Sequence, residues 1–204
     1  MARPDTVSLA EAKRLLRDQA KARRAALRVD AETAAQRQGA LFFRAFADIL
    51  ERSPAPRISG YWPMGDEFDA RPLLTRLCER GHVCALPVVL NRGEALVFRH
   101  WQPGNQLIEA GFGTQEPGAE ADEVVPDLVL APLLAFDDTG GRLGYGGGFY
   151  DRTLRTLRSA GQVIAVGVAY HAQGVAQVPT GDGDETLDWI VTEERAIRCM
   201  RRSP

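Results

Sequence analysis

Residues 142–151 have the composition of a loop that binds phosphate and a metal ion. They read Arg-Leu-Gly-Tyr-Gly-Gly-Gly-Phe-Tyr-Asp, with glycine at four of the five positions from 144 to 148. Glycine loses more backbone entropy on folding than other residues, so this density indicates positive φ angles or close approach to a ligand. Bare amide N–H groups that open a helix attract anions. Arg142 would supply a planar cation for phosphate, and Asp151 an oxygen ligand for Mg²⁺. A flexible surface loop is the alternative that composition leaves open.

This glycine loop (residues 142–151) lacks the standard nucleotide-binding fingerprints. It has no Gly-Lys-Ser/Thr ending of a P-loop, and Phe149 takes the last position of a G-x-G-x-x-G pattern. Its place in the chain nevertheless favours ligand binding. It follows a near-continuous apolar segment, 127–131, typical of a buried parallel strand. In open α/β sheets, ligands bind beyond the carboxyl ends of such strands.

A basic stripe on the first predicted helix is a second candidate for binding. Spacings of four, four and three place its members on one face of a helix: Lys13, Arg17, Lys21 and Arg24. Taken alone, a stripe of this kind is more often a solvated face than a binding site.

Two acidic segments have open interpretations. The segment with Asp182, Asp184, Glu185 and Asp188 could supply a second metal ligand, although such clusters are usually exposed turns. Glu67 follows a predicted strand and could bind a polar ligand, although a single loop carboxylate is usually only solvated.

Length and composition indicate an ordinary globular protein of 204 residues, 45% hydrophobic and 25% charged. We expect one domain, with a helical N-terminal segment at 8–52 and an α/β sandwich at 57–198. The net charge of −2 gives no pull toward nucleic acid or membrane, and no apolar run reaches the roughly 18 residues of a membrane span. Three cysteines without a CxxC pair favour a reduced, cytoplasmic setting.

Hydrophobic periodicity predicts strands that alternate with helices. Ser8 and Glu11 form a capping box for a first helix that runs to about Arg28, and Asp30 caps a second over 31–51. Asp69 caps a third helix, and a fourth covers 149–160. The predicted strands are 58–62, 83–89 (interrupted or ended near Pro87), 95–101, 127–131, 163–169 and, as the last strand, 189–191, with 102–118 irregular. The alternation predicts an α/β layered sandwich behind a helical N-terminus.

Six fragments together resemble one known family. They are Lys13-Arg-Leu-Leu-Arg17, Tyr61-Trp-Pro-Met-Gly-Asp-Glu67, Ala85-Leu-Pro87, Phe112-Gly-Thr-Gln-Glu-Pro117, Pro132-Leu-Leu-Ala-Phe-Asp137 and the glycine loop, in that order. The family is that of the 5-formyltetrahydrofolate cyclo-ligases, also called methenyltetrahydrofolate synthetases. The resemblance covers about residues 10 to 192, and the glycine loop is its most specific motif.

The resemblance implies ATP- and Mg²⁺-dependent conversion of 5-formyltetrahydrofolate to 5,10-methenyltetrahydrofolate, with release of ADP and phosphate. It also implies a Rossmann-like three-layer α/β/α sandwich with a mostly parallel sheet. We expect a cytoplasmic monomer without nucleic-acid or membrane partners.

The resemblance also implies roles for individual residues. The ATP contacts would be Lys13, Arg14, Leu15, Leu16, Arg17, Arg142, Leu143, Gly144, Tyr145, Gly146, Gly147, Gly148, Phe149 and Tyr150. The folate contacts would be Arg17, Trp62, Glu67, Tyr145, Gly146, Gly147, Gly148 and Phe149. Lys13, Arg17 and Arg142 would act in catalysis, and Asp151 and Asp184 would hold Mg²⁺. Some members have Arg and Lys where this chain has Tyr145 and Gly147, which leaves more phosphate charge to the remaining cations.

Two other functions compete with this one. The first is a non-catalytic regulator on the same fold that binds nucleotide or nucleic acid through the basic first helix. Near-neutral charge and the lack of aromatic residues interleaved on that helix count against it. The second is a different ATP-using phosphotransferase built on the same glycine loop.

Overall fold

A seven-stranded sheet forms the centre of the protein in a computed structural model, which describes residues 7–27 and 29–200. Its strands are β1 (Ile58–Ser59), β2 (Cys84–Val88), β3 (Val97–His100), β6 (Leu128–Pro132), β9 (Ile164–Val168), β10 (Trp189–Val191) and β11 (Ala196–Arg198). Their order across the sheet is β11-β10-β9-β6-β1-β2-β3. The inner pairs are parallel, and only the edge strands β3 and β11 pair antiparallel. The predicted mostly parallel α/β sheet is confirmed.

Both faces of the sheet are covered, which gives three layers. Successive side chains of a strand point to opposite faces. Leu128 and Leu130 of β6 pack in one core cluster with Phe42, whereas Val129 packs with Leu154 in a second cluster. The near-continuous apolar run of β6 reflects this burial on both sides.

Five α-helices lie in the described residues: α1 (Leu9–Ala25), α2 (Ala31–Ala45), α3 (Ala47–Leu50), α4 (Arg71–Glu79) and α5 (Phe149–Ala160). Ser8 Oγ accepts a hydrogen bond from the Glu11 amide at 3.2 Å, and Asp30 caps α2 through the Thr33 amide at 2.6 Å. The predicted N-caps of the first two helices are therefore confirmed. The predicted end of the first helix at Arg28 lies outside the described residues.

Several predicted boundaries are wrong. The single helix predicted for 31–51 is interrupted at Phe46, which separates α2 from α3. The N-cap of α4 is Ala70 rather than Asp69, which lies one residue before it and accepts a hydrogen bond from the Arg71 amide at 3.0 Å. The predicted end of the second strand near Pro87 is confirmed, since β2 ends at Val88. Pro87 is tolerated because β1 pairs only with residues 84 and 85 and requires no amide from the proline.

Two short hairpins lie outside the central sheet. β4 (Leu107–Glu109) pairs with β5 (Gln115–Pro117), and β7 (Ala135–Phe136) pairs with β8 (Arg142–Leu143). The prediction that 102–118 is irregular is therefore wrong, as is the prediction that 189–191 is the last strand. Strands of two or three residues carry too little alternation to be recognised in a sequence. None of the described helices is long and apolar enough to cross a membrane.

Candidate active site

The glycine loop connects the β7–β8 hairpin to α5. Gly146 has φ +102° and Gly148, the N-cap of α5, has φ +67°. Both angles lie in the region that residues with a side chain rarely adopt. No side chain of the described residues caps the N-terminus of α5. The N-terminus of a helix attracts anions through its amide N–H groups and its dipole, so the start of α5 is suited to phosphate.

Close packing accounts for two further glycines of the loop. A Cβ on Gly144 would lie 2.7 Å from Arg142 Nη1, and one on Gly147 would lie 2.9 Å from the ring of Phe149. Both distances are too short for a real side chain. Both contacts are with other residues of the loop, so glycine at these positions lets Arg142 and Phe149 lie close to the loop backbone.

Arg142 lies at the base of the loop on β8, with only 5% of its side chain exposed. Its Nη2 donates to Asp151 Oδ1 at 2.9 Å, and its guanidinium carbon lies 5.6 Å from the centre of the Tyr150 ring. Within the described residues, Arg142 Nε has no hydrogen-bond partner. A buried N–H without a partner is costly in a folded protein, and it is expected where a ligand supplies the acceptor.

Helix α1 brings two more cations to the loop. Lys13 Nζ donates to both carboxylate oxygens of Asp184, at 2.7 and 2.5 Å, and Arg17 Nε donates to the carbonyl of Gly144 at 2.9 Å. The basic stripe is therefore not simply a solvated face. Its first two members lie at the loop that the sequence selects as a phosphate site.

The other residues of the 13–17 motif lie differently. Arg14 pairs with Glu11 and Asp18 on the surface of α1, and the side chain of Leu15 is exposed. Leu16 packs in a small core cluster beneath β8. The structure thus brings Lys13 and Arg17 to the loop but does not bring the side chains of Arg14 and Leu15 there.

The two carboxylates expected to bind metal lie on adjoining segments. Asp151 Oδ1 accepts from the Glu185 amide at 3.2 Å, and Glu185 directly follows Asp184. Asp184 Oδ2 also accepts from the Gly181 amide at 2.7 Å. No group of three or more His, Cys, Asp or Glu suited to a metal ion occurs among the described residues. The candidate metal site therefore has two carboxylates, those of Asp151 and Asp184.

The remaining acids of the 182–188 segment have other neighbours. Glu185 and Asp188 both pair with Arg158 of α5, at 2.8 and 2.9 Å. Asp182 is exposed. Asp184 is thus the carboxylate of this segment that faces the cations of α1.

Glu67 is a buried carboxyl beside the loop, 6% exposed. Its Oε2 accepts from the Met64 amide at 2.8 Å, and its Oε1 has no partner within the described residues. Burial raises the pKa of Glu67, although the Met64 hydrogen bond acts in the opposite direction. Burial and the Glu67 carboxylate also raise the pKa of Tyr145 to about 12. A half-satisfied carboxyl in this position is suited to a polar ligand.

Tyr150, expected to contact ATP, and Trp62, expected to contact the folate, occupy different places. Tyr150 has a buried hydroxyl without a partner in the described part of the chain, and burial raises its pKa. Trp62 lies edge-on to Trp101, with ring centres 6.3 Å apart, and under the guanidinium of Arg71 at 5.1 Å. No hydrogen bond or ring contact among the described residues links Trp62 to the glycine loop.

Sequence reasoning does not select Arg24 as a site residue, although it belongs to the basic stripe. Arg24 is 6% exposed, donates to Asp66 Oδ1 at 3.0 and 2.6 Å, and donates to the Tyr145 hydroxyl at 2.7 Å. A cavity of about 380 Å³ adjoins it, lined in part by Glu67 and Arg71. The shared helix face with Lys13 and Arg17 is the signal that could have identified it.

Comparison with known proteins is decisive for the family. The family model described as the 5-formyltetrahydrofolate cyclo-ligase family matches residues 9–193. The chain belongs to this family. A curated 5-formyltetrahydrofolate cyclo-ligase of Haemophilus influenzae is 34% identical over 145 residues, which cover 69% of this chain and 77% of that protein. One from Escherichia coli K12 is 35% identical over 135 residues, which cover 63% and 73%.

Solved structures agree with this cyclo-ligase assignment. The 5,10-methenyltetrahydrofolate synthetase of Aquifex aeolicus superimposes with a TM-score of 0.71 at 26% identity and covers 94% of each chain. A synthetase from Mycoplasma pneumoniae, 22% identical with a TM-score of 0.65, shares the fold. The activity is therefore that of a 5-formyltetrahydrofolate cyclo-ligase, a ligase of folate and one-carbon metabolism. The family uses ATP, and the substrate is a folate. The prediction of an enzyme is confirmed, and the non-catalytic alternative is set aside.

Proposed function

We propose that the cyclo-ligase forms the new five-membered ring of its product by first transferring the γ-phosphoryl group of ATP to the formyl oxygen of 5-formyltetrahydrofolate. ADP is released, and phosphate then leaves as 5,10-methenyltetrahydrofolate forms. The observation that carries this proposal is the position of three cations at a glycine loop that opens a helix. Arg142 and Arg17 contact residues of this loop, and Lys13 contacts Asp184, whose neighbour Glu185 bonds to Asp151 of the loop.

The chemistry explains why phosphate-binding groups are needed. The formyl carbon is a poor electrophile, because the lone pair of N5 delocalises into its carbonyl group. Phosphorylation turns the formyl oxygen into a leaving group. N10 then attacks the formyl carbon and gives up its proton, which the departing phosphate or water accepts. The bond from that carbon to oxygen breaks as the ring closes, so the former formyl oxygen departs in the phosphate. Such a reaction requires positioning and charge neutralisation more than a covalent nucleophile.

The glycine loop would hold the triphosphate. Amides at the start of α5 would bind phosphate oxygens without side-chain bulk. Arg142 Nε, which has no partner within residues 7–27 and 29–200, lies nearby. Lys13 and Arg17 lie on the α1 side of the loop. These three residues would stabilise the charge that develops on the transferred group.

Asp151 and Asp184 would hold Mg²⁺. Carboxylate oxygens are the ligands that Mg²⁺ prefers, and it is usually bound by one or two carboxylates together with substrate phosphates and water. The donor set therefore fits, because both carboxylates adjoin the start of α5 and the acids beside them pair with Arg158. When bound, the ion would neutralise phosphate charge. Arg142 and Lys13, which now pair with these carboxylates, would be free to contact phosphate oxygens.

The folate would lie on the side of the loop that faces Glu67. Glu67 Oε1 and the Tyr150 hydroxyl are buried and unpartnered within the described residues, so both can bind polar edges of the substrate. Phe149 and Tyr150 at the start of α5 would contribute apolar ring surface. Trp62 would contact a more distant part of the substrate, because it packs with Trp101 rather than with the loop.

Isotope labelling tests this route directly. Substrate carrying ¹⁸O in its formyl group is converted with unlabelled ATP and water, and the released phosphate is analysed by mass spectrometry. One labelled oxygen per phosphate is expected. Unlabelled phosphate, formed with normal yield of the methenyl product, would exclude the phosphorylated intermediate. The monomeric state and cytoplasmic location stay predictions, which sedimentation and cell fractionation can test.

A further inference from the structure

The cavity beside Glu67 is lined by two residues, Arg24 and Glu67, that each have a buried polar atom without a hydrogen-bond partner in the described part of the chain. Its volume of about 380 Å³ lies within the range of small-molecule sites. Arg24 and Glu67 both line it, and each residue is 6% exposed. Arg24 Nη1 and Glu67 Oε1 have no hydrogen-bond partner within the described residues. Two such groups in neighbouring positions are costly unless a ligand completes them.

The rest of the Arg24 side chain is held firmly. Its Nε and Nη2 donate to Asp66 Oδ1, and Nη2 also donates to the Tyr145 hydroxyl. Asp66 precedes Glu67 in the chain, and Tyr145 belongs to the glycine loop. The guanidinium plane is thus fixed between the segment that carries Glu67 and the segment that would hold ATP, which leaves Nη1 as its one edge without a partner among the described residues.

The unused pair matches one edge of a pteridine. The pyrimidine ring of a folate presents a 2-amino group and an N3–H as donors, followed by a 4-oxo group as acceptor. A carboxylate can accept from the first two, and a neighbouring guanidinium N–H can donate to the third. We propose that Arg24 is a substrate-binding residue that donates to the 4-oxo group, while Glu67 accepts from the adjacent amino edge.

This arrangement gives Arg24 a role in specificity, and it rests on the proposed placement of folate beside Glu67. N5 is separated from the 4-oxo carbon by a single ring carbon. A pteridine anchored through that oxo group therefore has its formyl nitrogen close to the edge held by Arg24. Because Arg24 also contacts Tyr145 of the glycine loop, the same guanidinium would set the distance between the formyl group and the bound nucleotide.

The test compares 5-formyltetrahydrofolate with its 4-amino-4-deoxy analogue, in which the 4-oxo group becomes an amino group and N3 loses its hydrogen. The contribution of Arg24 is therefore measured as the change in this ligand preference between wild-type and variant proteins. The analogue presents a donor where the substrate presents an acceptor, so it places two donors against each other at Arg24. Dissociation constants are measured by calorimetry at a pH at which both pyrimidine rings are neutral. We expect the wild-type protein to bind the 4-oxo ligand at least about ten-fold more tightly, since a site built for a hydrogen bond rejects a mismatched group strongly.

Arg24→Gln is the informative variant, because an amide side chain can donate or accept. It should weaken binding of the 4-oxo ligand by about ten-fold and reduce the preference between the two ligands to less than about three-fold. The matched control is Arg23→Gln, since Arg23 is exposed on the same helix and makes only a 3.4 Å contact to the Gly174 carbonyl. The control should keep the wild-type preference. Equal weakening of both ligands in Arg24→Gln would reduce Arg24 to a structural role and overturn the proposal.

A second variant keeps the proposal testable if Arg24→Gln does not fold. Arg24→Lys retains the charge beside Asp66 but loses the planar set of guanidinium N–H donors. It should therefore also lose the preference for the 4-oxo ligand over the 4-amino ligand. Calorimetry with ATP distinguishes this proposal from the proposed function. Wild-type protein that binds ATP and 5-formyltetrahydrofolate but shows no preference between the two pteridines refutes only the role of Arg24. Wild-type protein that binds neither ATP nor the substrate refutes the placement of both ligands.

Discussion

Lys13 and Asp184 are separated by 171 positions in the chain, yet Lys13 Nζ lies 2.5 Å from Asp184 Oδ2. This ion pair joins the N-terminal helix to the segment that precedes β10, whose Glu185 amide donates to Asp151 of α5. The pair is only partly exposed, so it is screened less than a surface salt bridge. It also holds together one residue assigned to phosphate and one assigned to Mg²⁺. The first helix is therefore part of the proposed site.

The assignment of Asp184 leads to the first prediction. Asp184→Asn should raise the Mg²⁺ concentration needed for half-maximal activity by about ten-fold or more, because an amide is a weaker ligand than a carboxylate. Asp182→Asn is the matched control, since Asp182 is exposed two positions earlier. Initial rates across a Mg²⁺ titration measure both. If the control loses its metal response while Asp184→Asn keeps it, the metal ligand within this segment is wrongly chosen.

Removal of the Arg142 guanidinium should lower the rate of turnover. Arg142→Ala loses a preorganised charge beside the transferred phosphoryl group, and the expected cost is about 10²–10³ in kcat. Arg195→Ala is the control, because Arg195 pairs with Asp138 on an exposed surface, where ion pairs contribute little. Steady-state kinetics and thermal unfolding should be measured on the same samples. A folded Arg142→Ala protein with normal kcat contradicts the assigned role.

The backbone of the glycine loop can be tested separately from its charges. Gly146→Ala forces a side chain into φ +102°, and its Cβ would approach Arg17 Cζ to 3.4 Å. Gly93→Ala imposes comparable strain at φ +86° in an open turn. Each should lower the free energy of unfolding by about 1–3 kcal/mol. Only Gly146→Ala should also raise the KM for ATP. Similar KM values in the two variants would show that the loop backbone does not bind phosphate.

The long elements of this fold could be predicted from sequence because their signals are local. The boundaries predicted for α5, 149–160, agree with the structure, and the strand predicted at 127–131 differs from β6 by one residue at each end. The hairpin at 107–117 was missed, because its strands have three residues each and their pairing depends on tertiary contacts. The same limit applies to β11, an edge strand recognisable only through its partner β10.

The candidate site was predictable to a different extent. Glycine content alone identifies the loop, because backbone with positive φ angles or with close neighbours at the Cβ position favours glycine. The roles of Glu67 and Asp184 came from the family resemblance, because a single carboxylate in a loop carries no sequence signal for its neighbours. Arg24 was not selected, since its importance depends on Asp66 and Tyr145, which are distant in the chain.

The buried carboxyl of Glu67 should lower the free energy of unfolding at neutral pH, although it is suited to bind the substrate. Burial raises its pKa, so the folded protein holds a proton at Glu67 more tightly than the unfolded chain does. The ionised form therefore destabilises the fold. It follows that Glu67 contributes most favourably to the free energy of unfolding below its pKa in the unfolded chain, about 4.3. This contribution is lost as the pH rises through the raised pKa of Glu67 in the folded protein.

Glu67→Gln removes this titration while keeping an oxygen for the Met64 amide. At neutral pH it should raise the free energy of unfolding by about 1 kcal/mol and Tm by about 2–4 °C, and the gain should shrink as the pH falls through the folded pKa. Affinity for 5-formyltetrahydrofolate should fall by about ten-fold, since an amide accepts less strongly than a carboxylate. The exposed control Glu109→Gln should change neither quantity. Thermal unfolding across a pH series, with calorimetry for the folate, measures both effects, and a Glu67→Gln protein that is less stable at neutral pH and binds folate normally would contradict both the burial argument and the ligand role.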